Sequence, residues 1–346
     1  MTALLNIAQQ FAKTVREITP LGNGLINDTY RVITDTHSFV LQRINRQVFA
    51  HPEQIMANLI MLNQHMQQKA PVDVKLQIPV ILAISDGAIL YQDENQDYWR
   101  ALTFIEKTES LEAIRTLADA EQIGSALGHF HYLLSDLYPG LLQDTLPGFH
   151  IAPDYLKHYQ KISLDTEPKA NRYCAEFIDK FQSLAEDLEN AKQQDLLTVR
   201  IIHGDPKINN FLFDTSSQRI VSLIDLDTVK PGLVHYDIGD CLRSCCHDMN
   251  TNRFNLDIAV AILKNYLAEA AAFFTEADYQ YLYPAIRLIP FELGIRFYTD
   301  YLEGNRYFKV TDPEQNLHRA VAQFNLCEDI MGKEAVITQL IAELKP

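Results

Sequence analysis

The 346-residue chain has one tryptophan, no Cys-x-x-Cys pair and no uninterrupted apolar run of membrane length. Its five cysteines, Cys174, Cys241, Cys245, Cys246 and Cys327, are odd in number, and two are adjacent. That pattern argues against a disulfide framework and a zinc ribbon and reads as reduced buried thiols in a cytoplasmic protein. The best apolar window, 258–274, is broken by Lys264, Asn265 and Glu269, short of the roughly 18 residues that a span needs. Basic residues are scarce as well, 30 against 45 acidic ones, for a net charge of −15. Nucleic acid and anionic lipid both demand a basic footprint, so neither is expected as a partner. The first residues, Met1-Thr2-Ala3-Leu4-Leu5-Asn6, lack the basic start and sustained apolar stretch of a signal peptide. Internal repeats and low-complexity segments are missing too.

With 47% hydrophobic and 22% charged residues, the chain has material for a real core. At roughly 100–200 residues per domain, its length suggests about two domains, or one large one. The first hundred residues read as two strands (29–34 and 37–44), a helix (52–69, with Ile55, Leu59, Leu62 and Met66 on one face) and three more strands (79–84, 88–92 and 98–104). Beyond residue 106 the pattern turns helical, with long helices expected over 111–137 and 171–190. A short β interlude follows between Val199 and Asp227, with strands at 211–213 and 220–224. The expectation is an α+β protein with a small β-rich lobe over 1–105, a hinge near Phe104–Lys107 and a larger helical lobe over 106–346. A cleft between two such lobes is a common place for a nucleotide.

The chemistry concentrates at His203-Gly204-Asp205-Pro206-Lys207-Ile208-Asn209-Asn210. Asp205 and Asn210 stand five apart after an apolar stretch, the H-x-D-x-x-x-x-N spacing of a kinase catalytic loop. A carboxylate must reach the acceptor hydroxyl to orient it and take its proton. A neutral oxygen a few residues on holds Mg²⁺, which prefers few protein ligands plus phosphate oxygens and water. Twenty residues after Asp205, Asp225 follows the apolar Leu223-Ile224, where a second magnesium carboxylate belongs. Asp227 reads equally as a further ligand or as a polar anchor. Alone, a His-Gly-Asp tripeptide is usually a turn and an Asp after a strand usually a cap; the conjunction of spacing, strand context and element order favours a phosphotransferase.

These residues resemble the aminoglycoside phosphotransferase and choline kinase group, whose fold is bilobal and protein-kinase-like. More narrowly, 26–30 (INDTY), 40–45 (VLQRIN), 224–232 (IDLDTVKPG), 236–243 (YDIGDCLR) and 296–309 (RFYTDYLEGNRYFK) resemble the N-acetylhexosamine 1-kinases. The likeness runs from about Leu21 to Lys309. It implies ATP as co-substrate and Mg²⁺ as cofactor, with Asp205 as catalytic base and Asn210 and Asp225 on the metal. It implies Arg43 as the phosphate-binding basic residue, and the backbone at Phe104 and Glu106 against adenine. Asn27, Arg243, Arg296 and Tyr307 would take part in acceptor binding. Where that family often carries a histidine, this chain has Leu25.

The remaining features are open to two readings each. Gly22-Asn23-Gly24-Leu25-Ile26-Asn27 is either a plain turn or a loop folded over phosphates, where Gly22 and Gly24 let the backbone approach. On the second strand, Leu41 and Arg43 share one face and Gln42 takes the other; Arg43 is expected to point into the cleft, with Glu53 the acidic candidate on the following helix. Asp237 and Asp240 read as structural, with Arg243 paired to one of them or reaching the acceptor. His247 and Asp248 lack further metal ligands and read as surface, and His129 and His131 face different ways on their helix. The single tryptophan, Trp99, lies in the small lobe, away from the side where an aromatic cage for choline would be needed. Clustered carboxylates for an aminoglycoside are missing from 292–309, which instead mixes Arg296, Arg306 and Lys309 with tyrosines. Such donors suit neutral sugar hydroxyls and an acetamido oxygen. The sequence-level expectation is therefore phosphorylation of the anomeric hydroxyl of an N-acetylhexosamine. The alternatives are a kinase of another small alcohol (choline, ethanolamine, an aminoglycoside or another sugar) and an inactive kinase-like binding protein.

Overall fold

The computed structural model describes residues 2–22, 26–69, 76–165 and 171–345. The chain opens with α1 (Thr2–Phe11), β1 (Glu17–Pro20), β2 (Asp28–Ile33), β3 (Ser38–Ile44) and α2 (Pro52–Gln68). β4 (Ile81–Leu82), β5 (Tyr91–Gln92), β6 (Tyr98–Thr103) and β7 (Thr108–Ser110) follow. Next come α3 (Leu117–Leu134), α4 (Ala152–Asp165), α5 (Arg172–Phe181) and α6 (Asp187–Gln193). The β interlude comprises β8 (Arg200–Ile202), β9 (Phe211–Asp214), β10 (Ile220–Leu223) and β11 (Lys230–Gly232). It leads into α7 (Val234–Cys246), β12 (His247–Asp248) and β13 (Arg253–Phe254). The last elements are α8 (Leu256–Ala270), α9 (Glu276–Gln280), α10 (Leu282–Leu302), α11 (Gln315–Gly332) and α12 (Glu334–Leu344). No helix among the described residues is long and apolar enough to cross a membrane.

Two compact units emerge: Met1–Glu109 with Gly140–Pro147 and Leu212–Lys230, and Ser110–Pro139 with Gly148–Phe211 and Pro231–Pro346. A single cut near residue 105 does not describe this division, because two later segments join the first unit. Non-local polar contacts hold them there. Asn58 of α2, almost fully buried, donates from Nδ2 to the carbonyls of Gln143 and Val229, both at 2.9 Å, and accepts from Gln143 N at 2.8 Å. Lys230 Nζ meets Asp144 Oδ1 at 3.0 Å and the Leu146 carbonyl at 3.2 Å.

In the first unit an antiparallel sheet runs in the order β1-β2-β3-β6-β4, with β5 also on β6. The register places Tyr30, Leu41 and Ala101 side by side, and likewise Asp28, Arg43 and Trp99. Alternation then puts Val32, Phe39, Leu41, Trp99 and Ala101 on one face, where they bury against Ile7 and Ala8 of α1. Each large apolar side chain so buried contributes about 1.5–3 kcal/mol. Thr29, Gln42 and Arg100 fall on the opposite face.

The second unit is helical. Its tightest helix pair is α3 on α8: a Cβ at Gly124 would lie 2.1 Å from the Ile262 carbonyl oxygen, so only glycine allows this approach. α3 starts at Leu117 rather than at Leu111 because Thr116 and Asp119 form a capping box there. The helix expected over 171–190 is divided by a 3₁₀ turn, Gln182–Glu186.

Candidate active site

The segment after β8 is clamped from several sides within the second unit. Gly204 has φ +85°, a left-handed conformation that glycine adopts without strain. The fully buried Asp237 carboxylate accepts from His203 N at 2.6 Å and from Gly204 N at 2.8 Å. His131 Nε2 donates to the same carboxylate at 2.8 Å, and Tyr266 Oη lies 2.8 Å from His131 Nδ1. On the other side of the peptide, His150 Nε2 donates to the Gly204 carbonyl at 2.8 Å. Asn210 Nδ2 closes the loop onto the Asp205 carbonyl at 2.7 Å, and Ile208 N donates to Ser244 Oγ at 3.1 Å. Asp205 thus sits on a backbone with little freedom, and its carboxylate forms an ion pair with Lys207.

In the first unit Asp225 is exposed, caps no backbone amide and has φ +65°. A left-handed aspartate is strained by about 1–3 kcal/mol, a kind of strain that clusters at functional sites. Asp227 differs sharply. It is buried, accepts from Asn27 Nδ2 at 2.8 Å and pairs with Arg100 Nη2 at 2.5 Å, while its own carbonyl accepts from Thr145 Oγ1 at 2.6 Å. Burial pushes its carboxyl up from the usual value and Arg100 opposes that shift, with nearby Asp225 adding to it. Of its two readings, Asp227 takes the anchoring one.

Three expectations in this unit need correction. Arg43 lies on the α1-covered side of β3, not the side of Asp227, and its guanidinium is committed to Asp28 and to Asp97, the latter at 2.9 Å. Glu53 pairs with His51 instead. The β3 residue on the Asp227 side is Gln42, and the arginine there is Arg100 of β6, which donates to Gln42 Oε1 from Nε at 3.0 Å and from Nη2 at 2.7 Å. A one-residue step along a strand reverses the face, so the reading hinged on which face α1 covers. Asn27, expected at the acceptor, has both ends of its amide engaged, by Asp227 and by Asn45 N at 3.0 Å, and is a structural tie.

Gly22 has φ +69° and open space where a side chain would be; Gly24, with Asn23 and Leu25, lies outside the described residues. Phe104 carries the Arg31 guanidinium 4.3 Å above its ring, and Glu106 pairs with Arg31 at 3.2 Å. Both residues line a cavity of about 620 Å³, together with Val80, Thr108 and Val221.

In the second unit Arg296 is nearly buried in a ring cluster: Phe149 at 4.9 Å, Tyr155 at 5.1 Å, Phe308 at 5.6 Å and Tyr307 at 6.0 Å. Glu292 Oε1 lies 3.8 Å from its Nη1. Arg243 donates from Nε to Asp240 Oδ1 at 2.8 Å. Burial opposes both guanidinium charges, yet surrounding groups, Asp205 among them in each case, hold both above the ordinary arginine value. Burial also pushes the Tyr155 hydroxyl up to about 12. Of the expected residues, this unit therefore brings Asp205, Arg243, Arg296 and Tyr307 into one electrostatic neighbourhood, with Asn210 on the Asp205 loop. His129 and His131 do go separate ways, to Glu269 and to Asp237. His247, half-buried, contacts Asn252 five residues on at 3.1 Å.

Sequence reasoning missed Arg100, Lys207, His150 and Tyr155. Arg100 had a signal, an arginine between the core residues Trp99 and Ala101 on a strand, whose charge must be matched on the other face. His150 had none, because its partners lie 54 and 142 positions away. No group of three or more His, Cys, Asp or Glu able to hold a metal occurs among the described residues. The candidate ligands Asn210 and Asp225 offer only oxygen, which suits Mg²⁺ rather than a soft metal.

A β-sheet unit, a helical unit and a clamped H-x-D-x-x-x-x-N loop define an α+β protein of the protein-kinase-like fold. The model of the phosphotransferase enzyme family matches residues 17–274, well over half of the chain, and the protein belongs to that family. Among solved structures, the chain is similar to a microcompartment-associated aminopropanol kinase, with a TM-score of 0.70, 19% identity, and 95% of this chain and 98% of that one covered. It is also similar to a spectinomycin phosphotransferase in complex with ADP and spectinomycin (TM-score 0.63, 14% identity, 98% of each chain). A third is choline kinase LicA from Streptococcus pneumoniae (TM-score 0.57, 14% identity, 94% of this chain and 98% of that one).

Proposed function

We propose that the protein transfers the γ-phosphoryl group of ATP to the anomeric hydroxyl of an N-acetylhexosamine, giving the sugar 1-phosphate and ADP. The observation that carries the acceptor class is Arg296, a guanidinium enclosed by aromatic rings in the unit that holds Asp205. A cationic acceptor would be repelled there, whereas guanidinium and phenol donors suit sugar hydroxyls and an acetamido oxygen. Asp205 orients the acceptor oxygen and takes its proton as the new O–P bond forms and the bond to the ADP oxygen breaks. The Asp237 and His150 bonds hold that carboxylate in place before the substrate arrives. Lys207 offsets the charge of Asp205 in the resting state, and Arg296, Arg243 and Tyr307 recognise the acceptor. Asn210 would supply a neutral oxygen and Asp225 a carboxylate to hold Mg²⁺, which would supply neutralisation of phosphate charge. Phe104 and Glu106 lie against adenine and Gly22 beside the phosphates, a reading supported by the cavity those two residues line and by the ADP bound in the spectinomycin enzyme.

One observation favours an amino alcohol instead: Glu292 Oε2 and Asp240 Oδ2 are buried with no hydrogen-bond partner among the described residues. ADP release with N-acetylglucosamine, N-acetylgalactosamine, choline, aminopropanol and kanamycin separates the two, with the product identified by phosphorus NMR. Turnover is expected with an N-acetylhexosamine and loss of its reducing end. Turnover confined to the amines would overturn the acceptor assignment.

A further inference from the structure

We propose that His150 is a positioning residue that couples acceptor recognition at Arg296 to the placement of Asp205. The inference rests on the reading above, in which Arg296 meets the acceptor.

His150 lies between α3 and α4 with φ +66°, a left-handed conformation uncommon for a histidine. Its ring is buried and stacks on Tyr236, centroids 5.3 Å apart and planes 10° from parallel. Nε2 donates to the carbonyl of Gly204, the residue before Asp205, at 2.8 Å. Nδ1 lies 3.2 Å from Glu292 Oε1, and that same oxygen lies 3.8 Å from Arg296 Nη1. A short line of groups therefore runs from the Arg296 guanidinium through a buried carboxylate and an imidazole to the peptide that carries Asp205. Every member belongs to the second unit.

The hydrogen-bond inventory sets the charges. Both ring nitrogens face acceptors, a carbonyl and a carboxylate, so the full set of bonds needs two ring protons. The line then reads cation, anion, cation. The titratable and polar groups facing the ring are Glu292 from α10, Asp240 and Tyr236 from α7, and the Gly204 carbonyl, with the apolar Phe149 ring 4.1 Å away. Burial alone would push the imidazole down, but Glu292, Asp240 and that carbonyl outweigh it and hold it above its ordinary value. An acceptor that draws Arg296 away from Glu292 strengthens the pull of Glu292 on His150, and the change reaches Gly204 without touching Asp205. The clamp from the other side differs: the Asp237 carboxylate holds the amides of His203 and Gly204 and is itself held by His131, not by Glu292.

The test uses the full chain with Mg·ATP and N-acetylglucosamine, comparing His150→Gln, His150→Phe, Arg296→Lys and His150→Gln/Arg296→Lys. Glutamine can still donate to the Gly204 carbonyl but carries no charge; phenylalanine does neither. His150→Phe should lower kcat by about thirtyfold with the KM for ATP within about twofold of wild type, since small misplacement of a catalytic group is costly. His150→Gln should recover roughly a third to a half of that loss on a logarithmic scale. The kcat of the wild type should fall as pH rises through the raised imidazole value, because the doubly protonated ring is lost, and His150→Gln should lack that fall. The double variant should lose less than the product of the single losses, by about fivefold or more. Wild-type kcat in His150→Phe, equal losses in the two His150 variants, or multiplying losses in the double variant would overturn the coupling. If His150→Phe does not fold, the pH profile of His150→Gln and the double variant decide. The acceptor reading fails separately, by unchanged acceptor KM in Arg296→Lys. If no acceptor is turned over, hydrolysis of ATP by water that depends on Asp205 must still fall in the His150 variants, and its persistence would refute the positioning role.

Discussion

Arg100→Met probes the buried polar junction beneath the Asp225 strand end. Arg100 and Asp227 are 1% and 2% exposed, so the pair interacts with little screening from water. Methionine keeps much of the stem volume and removes three donated hydrogen bonds, two to Gln42 and one to Asp227. Removing one partner of a buried ion pair costs about 3–5 kcal/mol, mostly because the remaining charge is left uncompensated. Here Asp227 keeps its bond from Asn27, and the change also removes Arg100 Nη1, a buried donor with no partner among the described residues. Relief of that orphan is worth about 1 kcal/mol or more. The net expectation is a loss of about 2–4 kcal/mol, read as a fall in Tm of about 3–6 °C for a chain of this size. Arg100→Met/Asp227→Leu should regain at least about half of the loss, since an apolar pair of similar volume often replaces a buried ion pair at little cost. Urea unfolding of wild type, both singles and the double variant, followed by fluorescence of the single Trp99 and by circular dichroism, measures the cycle. A loss below about 1 kcal/mol for Arg100→Met, the range of an exposed pair, would refute the buried junction. So would a double variant as unstable as the sum of the singles.

Other outcomes follow from the same geometry. Asp237→Ala leaves three buried donors without their acceptor and should cost about 3–5 kcal/mol, with kcat down by about a hundredfold in whatever protein still folds; chemical denaturation and steady-state kinetics read the two effects. Asp205→Asn should leave the melting temperature within a few degrees, since the carboxylate is part-exposed and its ion pair contributes only about 0–1 kcal/mol. Its kcat should fall by about a hundredfold or more, the loss of a general base, and retained turnover would remove Asp205 from the chemistry. Gly204→Ala forces a side chain into φ +85° and should cost about 1–2 kcal/mol of stability, measured by thermal unfolding, with a larger relative loss of kcat.

Local pattern and spacing were enough for much of this protein. The residues of β2, β3, β6 and α2 announce themselves through period-2 and helical alternation, because each element must bury one face and the chain has no other way to do so. The H-x-D-x-x-x-x-N loop is legible because its parts lie within eight residues and share one backbone segment. Asn58, Lys230 and the 140–147 segment illustrate what pattern cannot hold: contacts between positions far apart carry no periodic trace. Only the packing of α1 on Leu41 and Ala101 decided that Arg43 lies on the wrong face and that Arg100, on a different strand, meets Asp227. Only the burial of Asp227 against Arg100 and Asn27 made it an anchor while Asp225, two residues away, stayed exposed. The placement of His150 between Gly204 and Glu292 is likewise a product of tertiary structure, since a side chain's charge and role depend on the groups that surround it once water has been excluded.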